Sequence, residues 1–505
     1  MTNSLSTYTK ENRGRVLILF LLFLLSLYEL YSFGLPGMVV VCMIPILIAG
    51  AYYAFLYKMM AFWLIFILNY VIMGLNRYFA LPLPVYAFTF LPQILLSMVC
   101  IIDSIRTQNK AKYPSFMLFA LSLWIAYMVV QIFNKTCDLP FSMGAWFQNF
   151  TFMGFAFLLA YFLVMTLFQE PERIMKWFRC WAYLAITASF WAWRQQTFGF
   201  DETERAWLAA EGAVTHIIGG SIRYFSFFTD AANFGCGIAA SAVVFYILAV
   251  TTQLRKDKIL FIISALCCTE GFFLSGTRTA LACFIVGVAL YVILSKSFKI
   301  AIPVAILGGI FFFILAFTQI GQGNMQIRRM RSAFNSNDAS ANVRDINKAA
   351  LNKYLRDAPF GLGLNIDEGK VPANHKYKIV YETKNDSTYV FLWQRAGIIG
   401  AVLFAFVNVL ILLGGAYIIF VKLKNKVCIG IASACCCAFA AIQVGGYANH
   451  ILLQYPNLLL FYGGMTLVYL LPGIENDFNS YIKKLYDEQE EKKRLKLEKK
   501  LASRV

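Results

Sequence analysis

Two arginines stand out by residue type and position. Arg223 opens the string Arg223-Tyr-Phe-Ser-Phe-Phe-Thr-Asp230-Ala-Ala-Asn233-Phe-Gly235, which leads into a long apolar run. Arg278 sits in the tight turn Ser275-Gly276-Thr277-Arg278-Thr279-Ala280 between two further apolar runs. A guanidinium is a planar fork of donors that can grip a phosphate through two bonds at once, which an ammonium cannot do. Two such forks on one membrane face suit the phosphates of a membrane-held ligand. Snorkelling to lipid headgroups is the plainer alternative. The hydrophilic segment from 319 to 395 adds Arg328, Arg329, Arg331, Arg344 and Arg356, and carries 12 basic against 7 acidic residues. Arg328, Arg329 and Arg331 read as anchors beside the membrane. Arg344 and Arg356 lie twelve residues apart, about 120° around a continuous helix, and need not converge on one ligand.

The elements that must position these residues are membrane spans. The 505 residues are 59% apolar and only 14% charged, with a mean hydropathy of +0.63. Soluble domains average about 25% charged, so a soluble enzyme, a secreted disulfide scaffold and a disordered chain are excluded. Apolar runs of about twenty residues recur, enough to cross a hydrocarbon core of roughly 30 Å. The fold class is an all-α polytopic membrane protein of about 12–14 transmembrane helices with a large extracytoplasmic loop. The fourteen-span reading puts them at roughly 16–33, 38–57, 59–76, 85–105, 115–133, 148–168, 174–195, 231–253, 259–275, 279–295, 299–318, 397–421, 427–447 and 457–473.

The net charge of +18 is mainly a topology signal rather than a sign of nucleic acid. Lys10, Arg13 and Arg15, then Arg106, Lys110 and Lys112, Arg173 and Lys176, Arg255, Lys256 and Lys258, Lys296 and Lys299, and Lys422, Lys424 and Lys426 all fall on one side. That side is then cytoplasmic, and holds both termini. The first apolar run, from Val16, reads as a signal anchor and not a cleaved signal. Twelve cysteines suggest no disulfide framework, because Cys267, Cys268 and Cys435 to Cys437 lie inside apolar runs.

The expected organisation is an N-terminal bundle over 1–230 with an outer loop at 196–230, core helices over 231–318, and a loop domain over 319–395. C-terminal helices over 396–474 and a charged cytoplasmic tail over 475–505 complete it. Val343–Leu355 has helical spacing of apolar residues, so the long loop is expected to fold as a lid. Asp230 reads as a helix-entry cap together with Asn233. Glu270, inside a span, is either functional or paired with a neighbouring helix.

Beyond these features the chain resembles the O-antigen ligase and O-antigen polymerase superfamily. LSGTRTA from Leu274 resembles that family's small-Gly-Ser/Thr-Arg-x-Ala turn, and Arg223…Asp230…Asn233 resembles the element before it. Ala358-Pro359-Phe360-Gly361-Leu362-Gly363 matches its P-x-G-x-G turn, and Gly397-Ile-Ile-Gly400 leads into the next span. The resemblance covers roughly 215–420, in order. One position departs: eleven residues before Gly397, where the ligases carry His, this chain has Asp386, while Tyr389 stays in register. None of its three histidines, His216, His375 and His450, occupies that position.

The resemblance implies a GT-C-like architecture in the bacterial cytoplasmic membrane. It implies transfer of an oligosaccharide from an undecaprenyl-diphosphate carrier to a glycan or lipid-linked acceptor hydroxyl on the outer face, with no cofactor and no metal. Arg223 and Arg278 would stabilise the leaving diphosphate, Asp386 would be the general base or else a helix cap, and Arg344, Arg356, Asn233 and Tyr389 would contact substrate. Membrane lipids and a chain-length regulator protein are the further partners this reading allows, and nucleic acid is not one. The missing His favours a polymerase over a ligase. A lipid-linked oligosaccharide flippase is the competing class, but no internal repeat of the transporter kind is visible. A sensor or assembly scaffold fits poorly, because the long loop lies between spans.

Overall fold

A computed structural model of the chain describes residues 13–33, 41, 49–50, 52–79, 85–107, 115–218, 221–296, 298–323, 325–331, 339–383 and 387–502. Apolar segments in a membrane must satisfy their backbone internally, and they do so here as helices. The first half of the chain forms α1 (Arg13–Phe33), α2 (Lys58–Phe79), α3 (Val85–Thr107), α4 (Ser115–Val130), α5 (Met143–Leu167) and α6 (Pro171–Phe198). Two short helices, α7 (Glu202–Trp207) and α8 (Ala213–His216), precede a two-rung antiparallel ribbon of β1 (Ile217–Ile218) and β2 (Ser221–Ile222). Then come α9 (Ala231–Thr251), α10 (Arg255–Leu274), α11 (Arg278–Leu294) and α12 (Phe298–Phe317). The long loop holds α13 (Met325–Arg331), α14 (Ala339–Leu355) and α15 (Lys378–Glu382). The chain closes with α16 (Thr388–Tyr417), α17 (Lys426–Ala448) and α18 (Asn457–Ala502).

Eight helices among the described residues are long and apolar enough to cross a membrane. The expected span at 38–57 falls largely outside the described residues, and every other expected span coincides with a helix. Contacts divide the chain into two units, Met1–Leu64 with Pro92–Asn109, and Ile65–Leu91 with Lys110–Val505. The first unit pairs Lys58 with Asp103. The second carries all the features discussed below.

The centre of the second unit is made by α9, α17 and α18, whose spans are 83%, 83% and 89% buried, against 33–44% for α4 and α16. Small residues make this possible, since they let helix backbones approach closely. A Cβ on Gly235 of α9 would overlap Ser275 Oγ, and one on Gly430 of α17 would overlap Thr251. At the end where α6 begins, Arg179 grips Asp257 through Nε and Nη2, both at 2.8 Å.

The long loop is folded around an apolar cluster of its own. Leu351, Leu355, Ala358, Leu362, Ile366, Val371, Tyr377 and Val380 pack with Cys137 from the connection between α4 and α5. Its exit is tied to a break in α16. Gly397 has φ 75° and ψ 177° inside that helix, a conformation open to glycine and strained for other residues. The break frees carbonyls that the turn Pro359–Gly363 then uses. Leu362 N donates to Gln394 O at 2.8 Å, Gly363 N to Arg395 O at 3.0 Å, and Ile399 N to Pro359 O at 3.2 Å. From the connection after α4, Gln131 Nε2 and Asn134 Nδ2 reach Phe360 O at 3.1 and 2.9 Å. Two expected boundaries shift accordingly. The helix after the loop begins at Thr388, ahead of Gly397, and the charged tail is continuous with the last span in one 46-residue helix.

A Cβ on Gly397 would overlap Pro359 O and Gly361 N. Gly397→Ala should therefore destabilise the protein by on the order of 2–4 kcal/mol, read as a lowered Tm in detergent. Ala at Gly369, which faces only Asp367 Oδ1 at 3.5 Å, should be close to neutral.

Candidate functional site

The two arginines first singled out are held by the same short turn. Helix α10 ends at Leu274 and α11 begins at Arg278, leaving three residues to reverse the chain. Gly276 takes φ +54° to do so. Ser275 Oγ donates to Phe272 O at 2.7 Å and accepts from Thr277 N at 3.1 Å, which closes the turn on itself. Thr277 Oγ1 donates to Ala231 O at 2.9 Å and accepts from Arg223 Nη2 at 2.8 Å. Arg223 Nη1 donates to Thr215 O at 2.9 Å, and its backbone N to His216 O at 2.9 Å. One hydroxyl thus joins the turn, the first residue of α9 and Arg223, which directly follows β2.

A third arginine enters where an anchor was expected. A Cβ built on Gly276 would lie 3.3 Å from Arg329 Cδ and 3.5 Å from Arg223 Cγ. The stems of Arg329 and Arg223 therefore pass over the turn together. Burial, then the charges of Arg223 and Arg278, lowers the Arg329 guanidinium to about 10. Its charge is opposed by Arg223, which directly follows β2, and by Arg278, the first residue of α11. The three consecutive-looking arginines of α13 have three different fates. Arg328 is exposed, while Arg331 Nη2 donates to Ile320 O and, at 3.3 Å, to Ile314 O at the end of α12. Arg331 fills the anchoring role read from the sequence. Helix geometry held the missing signal, since Arg329 lies about 100° around the helix from Arg328 and about 200° from Arg331, and so faces another side.

The approach to α9 is built from aromatic packing and caps. Asp230 Oδ1 accepts from Ala232 N at 2.7 Å and Asn233 N at 2.9 Å, as a helix cap should. His216 is buried between Trp207 and Phe225, at ring distances of 5.2 and 5.1 Å. Its Nε2 accepts from Ala231 N at 3.1 Å, so Nδ1 carries the proton and donates to Gly212 O at 2.9 Å. Burial lowers this ring to about 4, with Arg223 and Arg77 also opposing protonation. Arg77 itself lies over Trp207 and Phe225, at 4.3 and 4.5 Å, and donates to Phe228 O at 2.7 Å. Glu204 is fully enclosed and gathers Arg194, Gln195 and Trp191.

The other candidate residues are dispersed. Asn233 is fully buried, and its amide is spent inside the protein. Nδ2 donates to Tyr455 O at 2.8 Å, and Oδ1 accepts from Asn457 Nδ2 at 2.8 Å. Tyr389 Oη donates to Gln443 Oε1 at 3.2 Å. Arg356 is exposed just past α14, and Arg344 lies on α14. Asp386 lies outside the described residues, one position before Ser387, the residue that precedes α16. Glu270 is exposed on α10. His375 accepts from Tyr377 N through Nδ1 at 3.3 Å, which leaves Nε2 to donate to Cys137 O at 3.0 Å. His450 stands edge-on to Phe391 at 4.8 Å, and burial lowers it to about 4 against the pull of Asp230. Arg395, read as the loop's last residue, is 4% exposed. It pairs with Glu368 and lies 4.8 Å from the Tyr381 ring.

This is an all-α membrane protein in which the stem of Arg223, just after β2, and that of Arg329, on α13, both lie over the turn between α10 and α11. Residues 259–405 match the family model described as O-antigen ligase. The match covers less than a third of the chain and is a similarity to that family over this stretch. It includes the Arg278 turn and the whole loop up to the Gly397 break. No curated protein matches the chain.

His216 and His450 are held below the ordinary value of 6.5. The folded form therefore binds fewer protons, and stability is full above pH 6.5 and declines as pH falls towards 4. For His216 alone the loss should approach on the order of 3 kcal/mol. Thermal unfolding in detergent across pH 7 to 4 should show this decline, with a shallower slope in His216→Gln.

Proposed function

We propose that the protein polymerises undecaprenyl-diphosphate-linked oligosaccharide repeat units at the outer face of the bacterial cytoplasmic membrane, as an O-antigen or capsule polymerase. The observation that supports this reading is the bond from Arg223 Nη2 to Thr277 Oγ1 at 2.8 Å, which ties Arg223 to the residue just before Arg278. In the reaction, an acceptor sugar hydroxyl attacks the anomeric carbon of the donor glycan. The bond from that carbon to the diphosphate oxygen breaks, and the hydroxyl proton passes to a base. The departing polyprenyl diphosphate gains one negative charge, and Arg223 and Arg278 stabilise it where it develops. Asp386 is the proposed base, since a carboxylate near the start of α16 can accept that proton. No metal or nucleotide sugar is required by this chemistry, because the diphosphate is already the activated leaving group.

Arg344, Arg356 and Tyr389 remain proposed substrate contacts through the loop and α16. Asn233 is better assigned to holding α9 against the loop before α18, given its enclosed amide. The two termini are proposed to be cytoplasmic and the long loop extracytoplasmic.

Arg278→Ala and Asp386→Ala should each lower glycan transfer about 10²-fold or more and leave single repeat units where the wild type gives ladders on glycan gels. Chains of normal length that stay lipid-linked would instead identify a ligase. Wild-type ladders from both variants would remove these residues from the mechanism.

A further inference from the structure

We infer that the joint where α16 begins and α17 ends is a subsite for the acceptor sugar, a hydroxyl-bearing pyranose ring; this rests on the glycosyl-transfer reading given above. The connection between α17 and α18 clamps the start of α16. Thr388 donates to Asn449 O twice, from its backbone N at 3.2 Å and from Oγ1 at 3.1 Å. The same Oγ1 accepts from Ile451 N at 3.1 Å, and Ser387 Oγ donates to Gly446 O at 3.4 Å. Rings gather at this joint. Those of Tyr389 and Tyr447 lie 6.5 Å apart, and that of His450 stands 4.8 Å from Phe391.

Two features go beyond what holding helices together requires. Asn449 is 9% exposed and its carbonyl holds Thr388, yet its Nδ2 is enclosed with no hydrogen-bond partner among the described residues. Nδ1 of His450, the next residue, is enclosed and unpartnered in the same way. Enclosed polar groups are bonded as a rule. One of these is an amide donor, the other an imidazole nitrogen that donates or accepts by tautomer, and a sugar hydroxyl can serve either. The second feature is Tyr447, which is 64% exposed. Such a ring would ordinarily meet lipid, but the Lys348 ammonium of α14 stands 5.0 Å from its centre. A strongly hydrated ammonium keeps to polar surroundings, so the ring faces the loop. Flat apolar surface beside a few converging polar groups is the make-up of a small-molecule site. The C–H face of a pyranose packs on the ring while its hydroxyls reach the amide and the imidazole. The place suits the acceptor, because Ser387 directly follows Asp386 in the chain and the attacking hydroxyl must come within hydrogen-bond reach of the base.

The full chain in detergent would be titrated with the repeat-unit oligosaccharide released by mild acid from the native lipid-linked glycan, and separately with farnesyl diphosphate. Tyr447→Ala should weaken oligosaccharide binding about tenfold or more and leave farnesyl diphosphate binding unchanged. Tyr447→Phe keeps the ring and should bind as the wild type does, whereas Tyr447→Leu should not. Asn449→Leu keeps the backbone clamp on Thr388 but removes the amide donor, and should weaken oligosaccharide binding to a similar extent. Tyr417→Ala, which removes an exposed ring near the far end of α16, serves as the control and should change neither affinity. If Tyr447→Ala and Asn449→Leu both bind the oligosaccharide normally, the subsite is overturned and the glycosyl-transfer reading stands. If Tyr447→Leu binds as well as Tyr447→Phe, the residue is an apolar lipid contact and the inference is overturned. If the wild type binds neither probe and does not extend the native lipid-linked glycan, the transfer reading falls and the subsite with it.

Discussion

The hydroxyl of Thr277 is the point on which this arrangement depends. It gives its proton to the first carbonyl of α9 and accepts one from Arg223, while its own backbone is fixed by Ser275. The turn thus meets, at one oxygen, two points of the chain that lie 46 and 54 positions before it. In apolar surroundings a helix end must find partners for its free backbone groups, and here those partners also orient a guanidinium. The glycine beside it lets the arginine stems pass, and Gly235 lets α9 come close enough for Thr277 to reach Ala231. The charge cluster is thus a by-product of how the helix ends are closed, which makes its geometry rigid at low cost.

A second joint works on the same principle. Gly361 and Gly397 lie backbone to backbone, and the broken helix gives its carbonyls to the turn that ends the loop. Polar groups exposed by one irregularity are satisfied by another. The loop's apolar cluster, reaching from Leu351 to Val380 with Cys137, then gives this polar joint a dry base.

Much of this was legible in the sequence. Apolar runs of the right length gave the spans, because length and hydropathy alone decide membrane helices. Arg278 was legible because a charged residue in so short a turn between spans has few places to go. The family match at 259–405 agrees with the motifs read around LSGTRTA and Pro359–Gly363. The start of α16 was misplaced, because a glycine break inside a helix looks in sequence like the start of one. Arg329 was missed because Arg328, Arg329 and Arg331 look alike in composition and differ only in the direction each takes from the helix. His216 gave no local signal at all, since its role is set by Trp207, Phe225 and the Ala231 amide arriving from elsewhere.

The interlocked glycines also bear on how such proteins diverge. The loop exit and the first turns of α16 share a backbone-to-backbone contact that side chains cannot mimic, so neither half has a compatible partner on its own. Exchange of specificity between relatives would then travel as a cassette that carries the loop together with the helix as far as Ile399. A loop grafted without its matching break would arrive with no socket to seat it.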